Sequence, residues 1–180
     1  MSATIWHITM SLDGFITGPD DAMEWAFELG QPSRLADEVM ETTGAILAGR
    51  RWYDVATERY DGRAGIYGGK WGGPVFVLTH QPPEAPTDPE IAFLTDGFES
   101  AHAAAAEAAG DKQLELFGAS IARQAIEAGL LDEIVVHVAP VLLGDGVRLY
   151  GGPGAPRVDL ARTTLEDQGD QISLRYSVKR

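Results

Sequence analysis

Two short stretches carry residues whose types and spacing could bind a phosphate. In Leu116-Phe117-Gly118-Ala119-Ser120-Ile121 an apolar strand pattern stops at glycine and a helical pattern begins. Such a junction aims unpaired backbone N–H groups, and the positive end of a helix dipole, at one point. Ala48-Gly49-Arg50-Arg51-Trp52-Tyr53 repeats the junction with two arginines in it. Cations at a helix start oppose the dipole, so they gain nothing locally. A bound anion is one explanation, since guanidinium matches phosphate geometry. A solvated pair bridging to Asp54 or Glu58 is the other. Asp13, in Ser11-Leu12-Asp13-Gly14-Phe15-Ile16, follows a strand into a loop. It could contact a substrate or relay a proton, or bond its own turn backbone. Trp25 could wall a pocket or fill the core.

Other chemistries lack their residues. The chain has no cysteine, which excludes disulfides, cysteine-ligated zinc and thiol catalysis. His7, His80, His102 and His137 show no metal-ligand spacing, and no metal site is expected. His7 and His137 sit in apolar strand patterns and read as satisfied core or interface histidines. There is no G-x-S-x-G elbow and no zinc-deaminase signature. Gly68-Gly69-Lys70 lacks the spacing of a P-loop. A net charge of −13 argues against a nucleic-acid partner. No run approaches the roughly 18 apolar residues of a membrane span. The first residues resemble no signal peptide, and a cytoplasmic location is expected.

The elements that must position these residues alternate. Thr4 to Met10 reads as a strand, Phe15 to Thr17 as a short extended piece, and Gly18 to Asp21 as a turn. Pro32 to Thr43 reads as an amphipathic helix capped by Ser33 and stopped by Gly44, with Leu35, Val39 and Met40 inward. Ala45 to Ala48 is a strand. Arg59 to Gly73 reads as a flexible glycine-rich connection. Pro74 to Thr79 and Ile91 to Leu94 are strands, and Phe98 to Ala109 an alanine-rich helix lying close on the sheet. Leu114 to Phe117 is a strand and Ser120 to Ala128 a helix ended by Gly129. Ile134 to Ala139 is an apolar run suited to a central strand. Val147 to Pro156 is a loop. Arg157 to Leu165 and Gln171 to Lys179 pair as a hairpin. The expected fold is a single three-layer α/β domain: a mostly parallel central sheet flanked by helices, with a C-terminal antiparallel hairpin.

Leu130 to Gly146 (LLDEIVVHVAPVLLGDG) is similar to the "L-V-D-E … P-x-L-L-G-x-G" segment of the reductase domain of bifunctional riboflavin-biosynthesis deaminase–reductases. SLDGFI resembles that family's first loop, and AGRRWYD (Ala48 to Asp54) its arginine-bearing junction. The resemblance covers nearly the whole chain and extends to the dihydrofolate-reductase-like superfamily. Ala119 departs from it, standing where the family has a second glycine. The start of the first long helix, Pro32-Ser33-Arg34, lacks the substrate carboxylate of true dihydrofolate reductases, with Asp37 and Glu38 falling a turn later.

The resemblance implies an NADPH-dependent oxidoreductase acting on a small, pterin- or flavin-precursor-like heterocycle. It places Arg50, Arg51, Thr79 and His80 at the 2′-phosphate, Gly49 among the cofactor-binding residues, and Gly118, Ala119, Ser120 and Ile121 at the pyrophosphate. Ile16, Leu143 and Gly144 would lie on the nicotinamide side, Asp13 would serve catalysis and Trp25 would touch the substrate. A homodimer is expected. A non-catalytic or regulatory nucleotide-binding protein on the same fold is the alternative.

Overall fold

The computed structural model describes residues 2–28, 33–86 and 88–179. The elements are β1 (Thr4–Ser11), β2 (Phe15–Thr17), α1 (Glu24–Glu28), α2 (Arg34–Thr42), β3 (Thr43–Gly49), α3 (Arg50–Arg59), β4 (Val75–Leu78), β5 (Ile91–Leu94), α4 (Phe98–Ala109), β6 (Gln113–Phe117), α5 (Ala119–Glu127), β7 (Glu133–Ala139), β8 (Val147–Arg148), β9 (Leu160–Asp167) and β10 (Ile172–Val178). They form the expected three-layer α/β fold, with a mostly parallel central sheet, flanking helices and antiparallel strands at the C-terminus. Pro32, the expected helix start, lies outside the described residues. The chain divides into two compact units, residues 1–5 with 40–131 and residues 6–39 with 132–180.

In the first unit β5, β4, β3 and β6 run side by side and parallel. Ile46, Ala48, Tyr53, Ile66, Val75, Val77 and Ile91 form its core. Helix α4 buries Ala101, Ala105 and Ala109, side chains small enough to bring its backbone close to β3. Gly44 was expected to stop α2; instead it lies inside β3. A Cβ there would stand 2.3 Å from the Ala109 carbonyl oxygen, so helix–strand contact demands the glycine.

The glycine-rich stretch, expected as a connection, forms short 3₁₀ turns within Gly62–Gly69 that are broken by a kink at Ile66, Tyr67 and Gly68. Ile66 is buried in it, and the Tyr67 hydroxyl donates to Glu115 Oε1 at 2.7 Å. Glu115 is fully buried on β6 and also accepts from Thr43 Oγ1 at 2.9 Å. A carboxylate taken from water needs such donors. Burial, with the Glu115 charge beside it, pushes the Tyr67 hydroxyl far above its ordinary value.

In the second unit β7, β10 and β9 are antiparallel neighbours. Val147 and Arg148, expected in a loop, pair with β2 as β8. Helix α2 starts as its sequence suggests: Ser33 Oγ accepts from Ala36 N at 3.2 Å. Glu166 on β9 adds a second cap, accepting from Arg34 N at 3.0 Å, Leu35 N at 3.1 Å and Ser33 Oγ at 3.2 Å. Burial pushes the Glu166 carboxyl up, but those donors outweigh it and hold the group below the usual range.

His7 and His137 face each other, Nε2 to Nε2, at 2.6 Å. His137 Nδ1 lies 2.6 Å from Ser173 Oγ, and Ser173 donates to Gln168 Oε1 at 2.7 Å. With its hydroxyl proton committed to Gln168, Ser173 accepts from His137 Nδ1–H. His137 Nε2 is then left to accept from His7. A neutral His137 is saturated by this arrangement. Burial, then the neighbouring His7, lowers its pKa to about 3 against the opposing pull of Glu166.

Candidate functional site

The first unit gathers both glycine–helix junctions at one edge of its sheet. Gly49 pairs with Leu78, and Ala48 with Phe117. The next residues along these parallel strands are therefore neighbours: Arg50 beside Thr79, and Gly49 beside Gly118. Gly49 lies against Ile121 of α5, with Cγ1 3.4 Å from where a Cβ would be.

The N-caps of α3 and α5, Gly49 and Gly118, make no side-chain capping bond, and neither first turn holds an acidic residue. The first intrahelical bond of α5 runs from Ala122 N to Gly118 O at 3.1 Å. The amides of Ala119, Ser120 and Ile121 thus belong to the first turn, which has no intrahelical acceptor for them. Gly118 has φ +95°, and the space where its Cβ would stand is open. The glycine is required by backbone conformation and leaves room above the amides. Ala119 is already helical, so a methyl costs no backbone strain there. Ile121 buries its side chain and can offer a ligand only its amide.

Arg50 and Arg51 behave differently. Arg50 Nε bonds Asp54 Oδ1 at 2.8 Å, and Nη1 donates to the Gln81 carbonyl. The expected Asp54 ion pair exists, and the guanidinium also ties α3 to the loop after β4. Arg51 and His80 are exposed. Thr79 Oγ1 accepts from Gln81 N at 3.1 Å, fixing the turn that carries His80.

The second unit gathers Asp13, Leu143 and Gly144. The Asp13 carboxylate accepts from Ser11 Oγ at 2.6 Å, Leu143 N at 3.1 and 3.2 Å, and Gly144 N at 2.7 Å. The Ser11 hydroxyl first, and with it the Gly144 and Leu143 amides, outweigh desolvation and lower its pKa to about 2. The group is a fully engaged anion at neutral pH. It joins the β1–β2 turn to the loop after β7, beside the Leu12 N to Val141 O bond of 2.9 Å. Ile16 is buried on β2. Trp25 is half-buried on α1 and donates to Ala22 O at 3.1 Å within its own turn.

Sequence reasoning did not single out Glu166, Ser173 or Gln168. Glu166 supplies the carboxylate that the start of α2 lacks in its own sequence, but it arrives from a strand more than a hundred residues away. Among the described residues no group of histidine and acidic side chains could hold a metal ion, and no helix is long and apolar enough to cross a membrane.

The three-layer α/β fold carries helix starts at the C-terminal ends of the parallel strands β3 and β6. The RibD C-terminal domain family matches residues 3–174, and the chain belongs to that family. The uncharacterised protein YwjB of Bacillus subtilis (strain 168) is 25% identical over 151 residues, 82% of either chain. A crystal structure titled "Putative riboflavin biosynthesis protein", from Shewanella sp. PV-4, superposes with a TM-score of 0.78 at 24% identity, covering 99% of both chains. The diaminohydroxyphosphoribosylaminopyrimidine deaminase/5-amino-6-(5-phosphoribosylamino)uracil reductase of Thermotoga maritima superposes with a TM-score of 0.65 at 16% identity; 99% of this chain covers 57% of that one.

Proposed function

We propose that the protein is an NADPH-dependent oxidoreductase acting on a small heterocycle of pterin- or flavin-precursor type. The observation that carries this is the strand register, which sets Arg50, Thr79 and the open first turn of α5 side by side. The residues fit a phosphate-bearing cofactor: an uncapped helix start, open space over Gly118 and no acid in either first turn. Ala119, Ser120 and Ile121 would hold the pyrophosphate through their amides. Arg50 and Arg51, with Thr79 and His80, would face the 2′-phosphate.

When bound, the cofactor supplies a hydride. The chain's task is to bind, orient and exclude water. Asp13 acts by position. Its oxygens accept from the Leu143 and Gly144 amides and so fix the two residues that, with Ile16, are proposed for the nicotinamide side.

The alternative, a regulatory nucleotide-binding protein, draws on the same fact: the Asp13 carboxylate is committed to a structural clamp. Turnover decides between them. Purified protein with NADPH and a panel of pyrimidine, pterin and flavin-precursor substrates should lose reduced-nicotinamide absorbance with at least one of them. Binding without turnover across the panel favours the regulatory reading.

A further inference from the structure

A cleft of about 400 Å³ opens in the first unit at the end of the parallel strands opposite Arg50 and Gly118. It is lined by Thr43 at the start of β3, Lys112 just before β6, and Lys70, Trp71, Gly72 and Gly73 leading into β4. That volume is in the range of small-molecule sites. The chain has three lysines and a net charge of −13, and two of the three line this one cleft. Lys112 Nζ donates to the backbone carbonyl of Glu41 at 2.9 Å. Glu41 lines the cleft too, yet among the described residues neither ammonium is paired with a carboxylate. Two lysines against one glutamate give this cleft of an acidic protein a local excess of positive charge that favours an anion.

Trp71 gives the cleft a fixed aromatic wall. Its Nε1 donates to Thr43 O at 3.1 Å, and Gly73 presses on the ring, where a Cβ would lie 2.4 Å from Cζ2. An indole held at edge and face loses little freedom when a flat ligand meets it. Nothing in the proposed reductase chemistry uses these residues.

We propose that this cleft is a second binding site, for a small molecule that joins a planar ring to a phosphate. Lys70 and Lys112 take the phosphate and Trp71 packs against the ring. The site is independent of the cofactor junctions at the other strand ends.

The test is an NMR titration of the ¹⁵N-labelled full chain with AMP, adenosine and inorganic phosphate. AMP should shift the Trp71 indole N–H and the Gly72 and Gly73 amides saturably, and bind more tightly than either fragment. The pair Lys70→Gln and Lys112→Gln should weaken AMP at those signals by about tenfold or more. Raising salt should weaken it in the wild-type chain, which tests the charges without any substitution. Signals at Trp71, Gly72 and Gly73 that stay still while AMP is raised to millimolar levels would overturn the proposal, even if Gly118 to Ser120 respond. Affinity untouched by both the substitutions and salt would overturn the role of the lysines. Silence at Gly118 to Ser120 with saturation at Trp71 would instead count against the cofactor assignment alone.

Discussion

Acid should weaken the second unit through His137 before any clamped carboxylate titrates. A histidine with a depressed folded-state pKa favours folding while neutral. Its contribution is complete above the unfolded value of 6.5 and is lost as pH falls towards the folded value of about 3. Between roughly pH 7.5 and pH 5.0 the unfolded chain takes up nearly a full proton at this residue and the folded chain almost none, which integrates to about 2 kcal/mol. The result would hardly change with a folded pKa of about 4, because the unfolded state sets the slope in this window. Asp13 and Glu166 have lowered pKa values, so their contributions persist to lower pH and are lost as pH falls through those folded values. Urea unfolding followed by circular dichroism at the two pH values measures the loss. The His137→Gln variant starts less stable, since Ser173 and His7 lose a partner, but its loss between the two pH values should be smaller than wild type by about 2 kcal/mol. Equal losses in wild type and variant would refute the buried neutral imidazole.

Three further outcomes follow from other parts of the structure. Gly44→Ala should cost about 1–3 kcal/mol, because the new methyl meets the Ala109 carbonyl; thermal unfolding reads this as a lower Tm. Asp13→Ala should free the Leu143 and Gly144 amides, raising their hydrogen-exchange rates by at least about tenfold while β3 and β6 keep theirs. A homodimer is proposed through β9 and β10, which expose Leu160, Leu165 and Ile172. Sedimentation should find a dimer in the wild type and a monomer in Leu165→Glu, and a monomeric wild type would end that proposal.

Much of the parallel half was legible because its signals are local. Glycine ends β6 where α5 begins, and Gly129 and Leu130 close that helix with bonds to Ile126 and Ala125 of 3.0 and 2.8 Å. The alanines of α4 announce close packing by size alone. What escaped depends on distant partners. Gly44 looks like a helix stop until Ala109 is placed against it. The glycines from Gly62 to Gly69 look loose until Tyr67 finds Glu115, and β8 is too short to show a period. The roles of Asp13 and Glu166 rest on amides about 130 residues away, and no local pattern announces such bonds. The two histidines were legible as satisfied residues, but not as each other's partner.

On the proposed reading the Arg50 and Gly118 junctions hold NADPH. Fluorescence titration of NADPH and NADH into wild type and Arg50→Ala tests it most directly. NADPH should bind the wild type more tightly than NADH, and the gap between the two cofactors should narrow in Arg50→Ala. Equal affinity for both cofactors in the wild-type protein would contradict it.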